Sequence, residues 1–309
     1  IDPLGVNATD DTAVALDPAV DAVIYTASGD FRPDEAQRDL EACLAAGVNV
    51  VSTSFYGLLH PGSVPEDLRA SVSGACERGA SSVFVSGIDP GWALDILPLL
   101  VSGVCAGIAE IRIQEMCNYA LYDQPEAVRT IIGFGQPMDQ LPLMLHDFAL
   151  EMVWAPMLRT LADGLDVELD GITTHVERRP LERTIDVPGM GIFDEGTLGA
   201  FRFEVRGIVD GRPLLVVEHI TRIDDDCAPD WPIAPLGQGV HRVRITGHPD
   251  LTVDVHGVEP GEPGAAGGGN ATAANRIVNA VPAVCAAMPG IVGPLDLPAI
   301  TGARQLRHG

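Results

Sequence analysis

Apolar and polar positions follow two regimes along this chain. In the first third, short runs rich in β-branched residues (DAVIYTA at 21–27, VNVVSTS at 48–54, SSVFVS at 81–86) alternate with segments of helical spacing. One such segment, 33–46, opens with Pro33 and acidic residues and closes at Gly47; a second covers 65–78 and stops at Gly79. Those are helix start and stop signals. Continuously apolar strands suit a parallel sheet covered on both faces. The β-α-β-α-β alternation then predicts right-handed crossovers. The fold class expected is α/β, with a Rossmann-like doubly wound parallel sheet.

From Trp92 the pattern changes. A helix is predicted over 92–100, a strand with one polar face over 108–118 (IAEIRIQEMCN), and helices over 125–132 and 142–162. Strands at 166–178, 184–187, 198–209, 212–222 and 240–256 read as one mostly antiparallel sheet, with Asp210-Gly211 as a hairpin turn. A Pro/Gly-rich loop at 259–269 precedes a helix at 270–288 that contains Pro282 and starts at Asn270 or Thr272. The tail, 289–309, is expected to wrap the surface. Three parts follow: 1–92, the remainder of a nucleotide-binding domain; 93–269, an α+β domain for substrate and oligomerisation; and 270–309, a helix and tail returning to the first.

A dinucleotide-binding sheet carries G-x-G-x-x-G after its first strand and an acidic residue for the ribose after its second. Neither is present, and residues 1–20 are too short and polar to supply them. The pattern puts a first βαβ before Ile1, or describes a binding relative without its nucleotide half.

Composition narrows the chemistry. The 309 residues carry a formal charge of −24. So acidic a surface repels phosphate backbones and anionic lipid, so neither nucleic acid nor membrane is an expected partner. All 19 basic residues are Arg, which excludes Schiff-base, P-loop and general-base lysines. The six cysteines are scattered without CxxC, and no His or Cys pair has metal-ligand spacing. No metal site or disulfide framework is expected, and a reducing cytoplasm fits.

Candidate chemistry gathers in three loops after the three parallel strands. Thr26, Ala27 and Ser28 follow the first, Ser52, Thr53 and Ser54 close the second, and the turn Ile88-Asp89-Pro90-Gly91 before Trp92 follows the third. Strand ends of a parallel sheet are where ligands sit, and Gly91 allows close backbone approach to a flat one. Tyr56 and His60 can each give the proton that hydride transfer to a carbonyl or imine requires. Beyond the fourth strand, Glu115, Asn118, Tyr119, Tyr122 and Asp123 are dense polarity for a strand end, a substrate wall or a subunit interface. His175 and His219 sit in strand patterns near arginines, where a structural role is expected. His241, His248 and His256 are scattered on or beside a late strand.

The phrases VNVVSTSFYGLLHP, SGIDPGW, RIQEMCNYALYDQPE, GIFDEGTLGAFRFEVRG, VVEHITR and GNATAANRIVNAVPAVCAA span nearly the whole chain. In them it resembles the dihydrodipicolinate reductase-like proteins of actinobacteria, relatives of 2,4-diaminopentanoate dehydrogenase and the native amine dehydrogenases. The resemblance implies NAD or NADP as cofactor, and the residues expected to bind it are Thr26, Ala27, Ser28, Ser52, Thr53, Ser54, Asp89, Pro90, Gly91, Trp92 and Thr272. It implies substrate contacts at Phe55, Glu115, Asn118, Tyr119 and Tyr122, and a homodimer or homotetramer built through the second sheet. Amine dehydrogenases of this group carry a catalytic Glu in the loop after the second strand. Here that loop is Phe55-Tyr56-Gly57, with no carboxylate before Glu66, and the H-H-x-x-K motif of true dihydrodipicolinate reductases is absent. The expected reaction is hydride transfer to or from a small or medium apolar carbonyl, imine or amine, with Tyr56 or His60 as proton donor.

Overall fold

Three short apolar runs become β1 (Ala22–Tyr25), β2 (Asn49–Ser52) and β3 (Ser82–Val85), which pair in parallel; β2 and β3 are largely buried, while Ile24 of β1 stays exposed. Between them run α1 (Pro33–Ala45), with Pro33 at its start and Asp34 and Glu35 in its first turn, and α2 (Glu66–Gly79), which ends at a left-handed Ala80. Their inward faces, Ala36, Leu40 and Leu44 on α1 and Val72, Ala75 and Cys76 on α2, are fully buried. The structure, a computed structural model, describes residues 5, 7–29, 32–122, 124–236, 239–258, 269–303 and 305–306. Asp30, Asp123 and residues 259–268 of the Pro/Gly-rich loop lie outside the described residues. The chain divides into two units, Ile1–Ser86 with Arg276–Gly309, and Gly87–Asn275.

Unit 1 is the parallel α/β part. Its sheet has a fourth strand from the far end of the chain, Gly290–Val292, pairing in parallel with β3. The tail therefore does not simply wrap the surface. Ile291 and Val292, between two glycines, are long enough to extend a sheet edge that β3 leaves open. Val292 and Leu297 join Val51, Phe84, Ile277, Ala280 and Val284 in one buried cluster. Full burial of such side chains contributes about 1.5–3 kcal/mol each, which fixes the last helix against the sheet.

Unit 2 begins with α3 (Ile96–Ser102), four residues later than the apolar run suggests, because the Asp95 side chain caps the Ile96 amide. β4 (Ala106–Asn118), the short turn α4 (Pro125–Ala127) and α5 (Asp147–Leu165) follow. A 3-10 turn at Leu143–Leu145 replaces the start of the long helix expected from 142. Then come β5 (Gly171–Pro180), β6 (Ile185–Val187), β7 (Gly191–Phe193), β8 (Leu198–Val209), β9 (Arg212–Arg222), β10 (Gly239–His248) and β11 (Leu251–Val255). Six of these strands form a sheet in the order β11-β10-β4-β9-β8-β5, antiparallel except where β4 meets β9. Two expectations change. β6 leaves the large sheet to pair with β7, and the stretch 240–256 is a hairpin rather than one strand. Among the described residues no helix is long and apolar enough to cross a membrane.

Candidate functional site

Strand register in unit 2 assembles side chains that sequence distance hides. On β4, Glu115 has His219 of β9 as its neighbour on one side and His241 of β10 on the other. Phe203 of β8 extends the row beyond His219. Directly paired residues share a face of the sheet, so the three ionisable groups form one line. Trp154 of α5 packs on that face, its ring 4.8 Å from His219 and 4.7 Å from Phe203, while Phe203 stacks on His219 at 4.6 Å.

The loop after β3 brings Asp89 over this row. Ile88 and Gly91 bridge to each other, and the Asp89-Pro90 peptide is cis. Gly91 has φ +141, and a Cβ there would stand 2.4 Å from the Gly87 amide nitrogen, so no larger residue closes this turn. The Asp89 side chain is 1% exposed. Its Oδ1 accepts from the Trp154 indole N–H at 2.9 Å. Its Oδ2 lies 3.2 Å from His219 Nε2 and 3.8 Å from His241 Nε2. On the other side, Glu115 Oε1 accepts from the Tyr119 hydroxyl at 3.3 Å and is 3.5 Å from His219 Nδ1, and Glu115 Oε2 is 3.4 Å from His241 Nε2. Several of these contacts have ion-pair distances without hydrogen-bond angles. Asp89 Oδ2, His219 Nε2 and His241 Nε2 are buried and make no hydrogen bond.

Charge dominates here. Burial alone would lower the pKa of His219, but the attraction of Asp89 and then Glu115 raises it to about 10. Burial opposes ionisation of Glu115, yet His219 and His241 hold it well below the usual carboxylate range. His241 is raised against its own burial, chiefly by Glu115, and Tyr119 is pushed well up by burial and by that carboxylate.

The other expected site residues divide between the units. In unit 1, Ser52 Oγ donates to Tyr25 O at 2.7 Å and accepts from the Ser54 amide at 2.9 Å, tying the ends of β1 and β2 together. Phe55 is buried in a left-handed conformation at φ 78, against Gly29, where a Cβ would meet the Phe55 nitrogen at 3.0 Å. Thr26 and Ser28 are exposed, and Ala27, Thr53 and Ser54 half-buried. Tyr56 is half-buried in a 3-10 turn, and the buried His60 ring meets Ser63 Oγ through Nδ1 at 2.9 Å. In unit 2, Pro90 and Trp92 flank the Asp89 turn, Asn118 accepts from the Ala120 amide at 2.9 Å, and Tyr122 packs on Tyr119 at 5.2 Å. Thr272 donates to Gly269 O at 3.0 Å in the first turn of the last helix, α6 (Gly269–Cys285). Sequence reasoning singled out Asp89, Glu115 and Tyr119, took His219 as structural, set His241 aside as one of several scattered histidines, and missed Trp154. The available signal was an imidazole at a core-facing phase of VVEHITR, in step with Val217 and Thr221.

A parallel α/β unit joined in sequence to a large mixed sheet is a Rossmann-like layout. The structure of amine dehydrogenase from Mycobacterium smegmatis shares it at a TM-score of 0.69 and 20% identity, over 96% of this chain and 82% of that one. D-galactose-1-dehydrogenase from Rhizobium etli aligns at a TM-score of 0.44 and 12% identity, over 82% of this chain and 66% of that one. No family model matches the chain. An amine dehydrogenase of Streptomyces virginiae is 47% identical over 296 residues, 96% of this chain and 82% of that protein. The chain belongs to the amine dehydrogenase family and is an oxidoreductase.

Proposed function

We propose that this protein transfers hydride between NAD or NADP and a small or medium, largely apolar amine, imine or carbonyl compound. The observation that carries the reading is the carboxyl edge of the parallel sheet in unit 1. There the loops after β1 and β2 lie against each other at Gly29 and Phe55, with Ser52 bridging the strand ends. That edge of an open α/β sheet is where dinucleotides bind. Its hydroxyls and backbone groups suit the uncharged carboxamide end of a nicotinamide, and among the described residues no glycine-rich phosphate loop accompanies them. When bound, the nicotinamide supplies or accepts the hydride. Thr26–Ser28 and Ser52–Ser54 orient it, and Tyr56 or His60 gives the accompanying proton.

In unit 2, Asp89 and Glu115 form the polar centre that takes the substrate's nitrogen or oxygen, with Tyr119 and Tyr122 beside it. The family relationship and the resemblance to dihydrodipicolinate reductase-like proteins and 2,4-diaminopentanoate dehydrogenase support a carbon–nitrogen bond as the target. The missing loop carboxylate before Glu66 favours an amine or a preformed imine over assembly from ammonia. We further infer a cytoplasmic homodimer or homotetramer built through the sheet of unit 2.

The test is cofactor turnover by the purified protein with NADH and NADPH, offered a cyclic imine, a ketone, and the ketone with ammonium. Turnover of the imine, or of the amine with oxidised cofactor, is expected; Tyr56→Phe or His60→Asn lowers it about 100-fold or more, as loss of a general acid does. No turnover with any of these, and no thermal shift with either nucleotide, removes the proposal.

A further inference from the structure

We propose that Asp89, Glu115 and His241 form a binding site for one divalent transition-metal ion of the Zn2+ type within unit 2. One ligand atom from each of the three lies within 4.8 Å of the others. Asp89 Oδ2 and His241 Nε2 are buried and make no hydrogen bond, although they are 3.8 Å apart, and Glu115 Oε2 lies 3.4 Å from the same nitrogen. Metal–ligand bonds of about 2.1 Å put adjacent ligand atoms of a tetrahedral ion about 3.4 Å apart, so the spacing suits an ion among them.

The surroundings are those of a metal centre as well. Each carboxylate has one oxygen held from outside: Asp89 Oδ1 by the Trp154 indole, Glu115 Oε1 by the Tyr119 hydroxyl. The second oxygen of Asp89 then lies against both imidazoles, 3.2 Å from His219 Nε2 and 3.8 Å from His241 Nε2, and that of Glu115 beside His241. Groups that orient ligands in this way tune metal affinity nearly as strongly as the ligands do. His219, between Asp89 Oδ2 at 3.2 Å and Glu115 Oε1 at 3.5 Å, is a positioning residue. Two carboxylates and one imidazole neutralise a divalent ion, and the imidazole favours a transition metal over Mg2+ or Ca2+. Three protein ligands leave a coordination position open. Its use by the substrate's nitrogen or oxygen rests on the function proposed above; the binding of the ion does not.

The purified protein, stripped with EDTA and dialysed, is titrated with Zn2+ by calorimetry and with Co2+ while the visible spectrum is read. One equivalent of Zn2+ and a visible Co2+ ligand-field band are expected. Asp89→Asn and His241→Gln each weaken Zn2+ binding at least tenfold, whereas His175→Gln, exposed on β5, leaves it unchanged. Near-UV circular dichroism checks that each variant is folded, and Glu115→Gln replaces one that is not. Less than about a tenth of an equivalent of Zn2+ at saturation, undiminished binding in the Asp89→Asn/His241→Gln double variant, or preference for Mg2+ overturns the site. Stoichiometric Zn2+ without nicotinamide-dependent turnover removes the proposed function and keeps the site. Turnover that survives EDTA in a protein that takes up no metal does the reverse.

Discussion

At Trp154 one atom can be tested apart from the ring that carries it. The indole N–H donates to Asp89 Oδ1 at 2.9 Å while the ring packs on Phe203 and His219. Trp154→Phe keeps most of the apolar contact and removes the donor, leaving a buried carboxylate oxygen without its partner. Loss of a hydrogen bond to a charged group costs about 1.5–3 kcal/mol. The expected outcome is a lower urea midpoint with an unchanged slope; a midpoint equal to wild type shows that the oxygen has found another donor. The same cluster marks how far single residues were legible. Asp89 and Glu115 stood out because a carboxylate beside a tight turn or at a strand end is conspicuous in any sequence. His219 and His241 did not, because what gives them meaning is the register that sets them beside Glu115. That register is decided by packing of the whole sheet.

The strand β4 carries opposite chemistry on its two faces. Glu115 faces the site, while Arg112, on the other face, meets Glu204 of β8 at 2.7 Å and Glu218 of β9 at 2.8 Å. Both carboxylates are under a tenth exposed. Arg112→Met takes a charge-assisted hydrogen bond from each of them, leaving Glu204 to Arg206 and Glu218 to Gln114 and Arg202, and a loss of about 1.5–3 kcal/mol is expected in denaturant titration. Burial alone would raise the pKa of Glu204, but Arg112, then Arg206, holds it below its ordinary value. A carboxylate with a depressed folded-state pKa stabilises the fold above its unfolded pKa, about 4.3, and that stabilisation disappears as pH falls through the lower folded value. Urea midpoints measured from about pH 6 down to about pH 3 should fall less steeply in Glu204→Gln than in wild type. Parallel curves would show that Glu204 does not drive the acid response. At this scale the sequence was most readable: period-two alternation marks β4, the Asp210-Gly211 turn marks the β8–β9 hairpin, and Pro33 with the following acidic residues, and Gly47 and Gly79, mark where α1 and α2 start or stop. It failed where a local signal was outweighed by its context. The apolar run after Trp92 waits for the Asp95 cap before it becomes helix, and β6 turns back at once, through the Met190 amide on Val187 O, to pair with β7.

The two units differ in how the chain builds them. Unit 2 is one continuous stretch, Gly87–Asn275, whereas unit 1 needs both Ile1–Ser86 and Arg276–Gly309. Ile277, Ala280, Val284 and Val292 from the second piece complete the core around Val51 and Phe84 from the first. Phe84→Ala should cost about 3–5 kcal/mol, read as an earlier urea transition in probes of unit 1. A chain ending at Asn275 should lose cooperative unfolding of unit 1 altogether; a cooperative transition retained there would show that β1–β3 and their helices suffice. The parallel sheet was legible from its first three strands, but its fourth was not, since Gly290–Val292 is too short to signal pairing across so much sequence.

Vectorial synthesis turns this discontinuity into a waiting time. Residues 1–86 leave the ribosome ahead of unit 2, and the pieces that seal Phe84 and Val51 emerge roughly ten to forty seconds later at ordinary elongation rates. Through that interval Val51 and Phe84 are without the cover that Ile277, Ala280, Val284 and Val292 give them. Newly made chains should therefore lean on holdase chaperones until the final helix emerges.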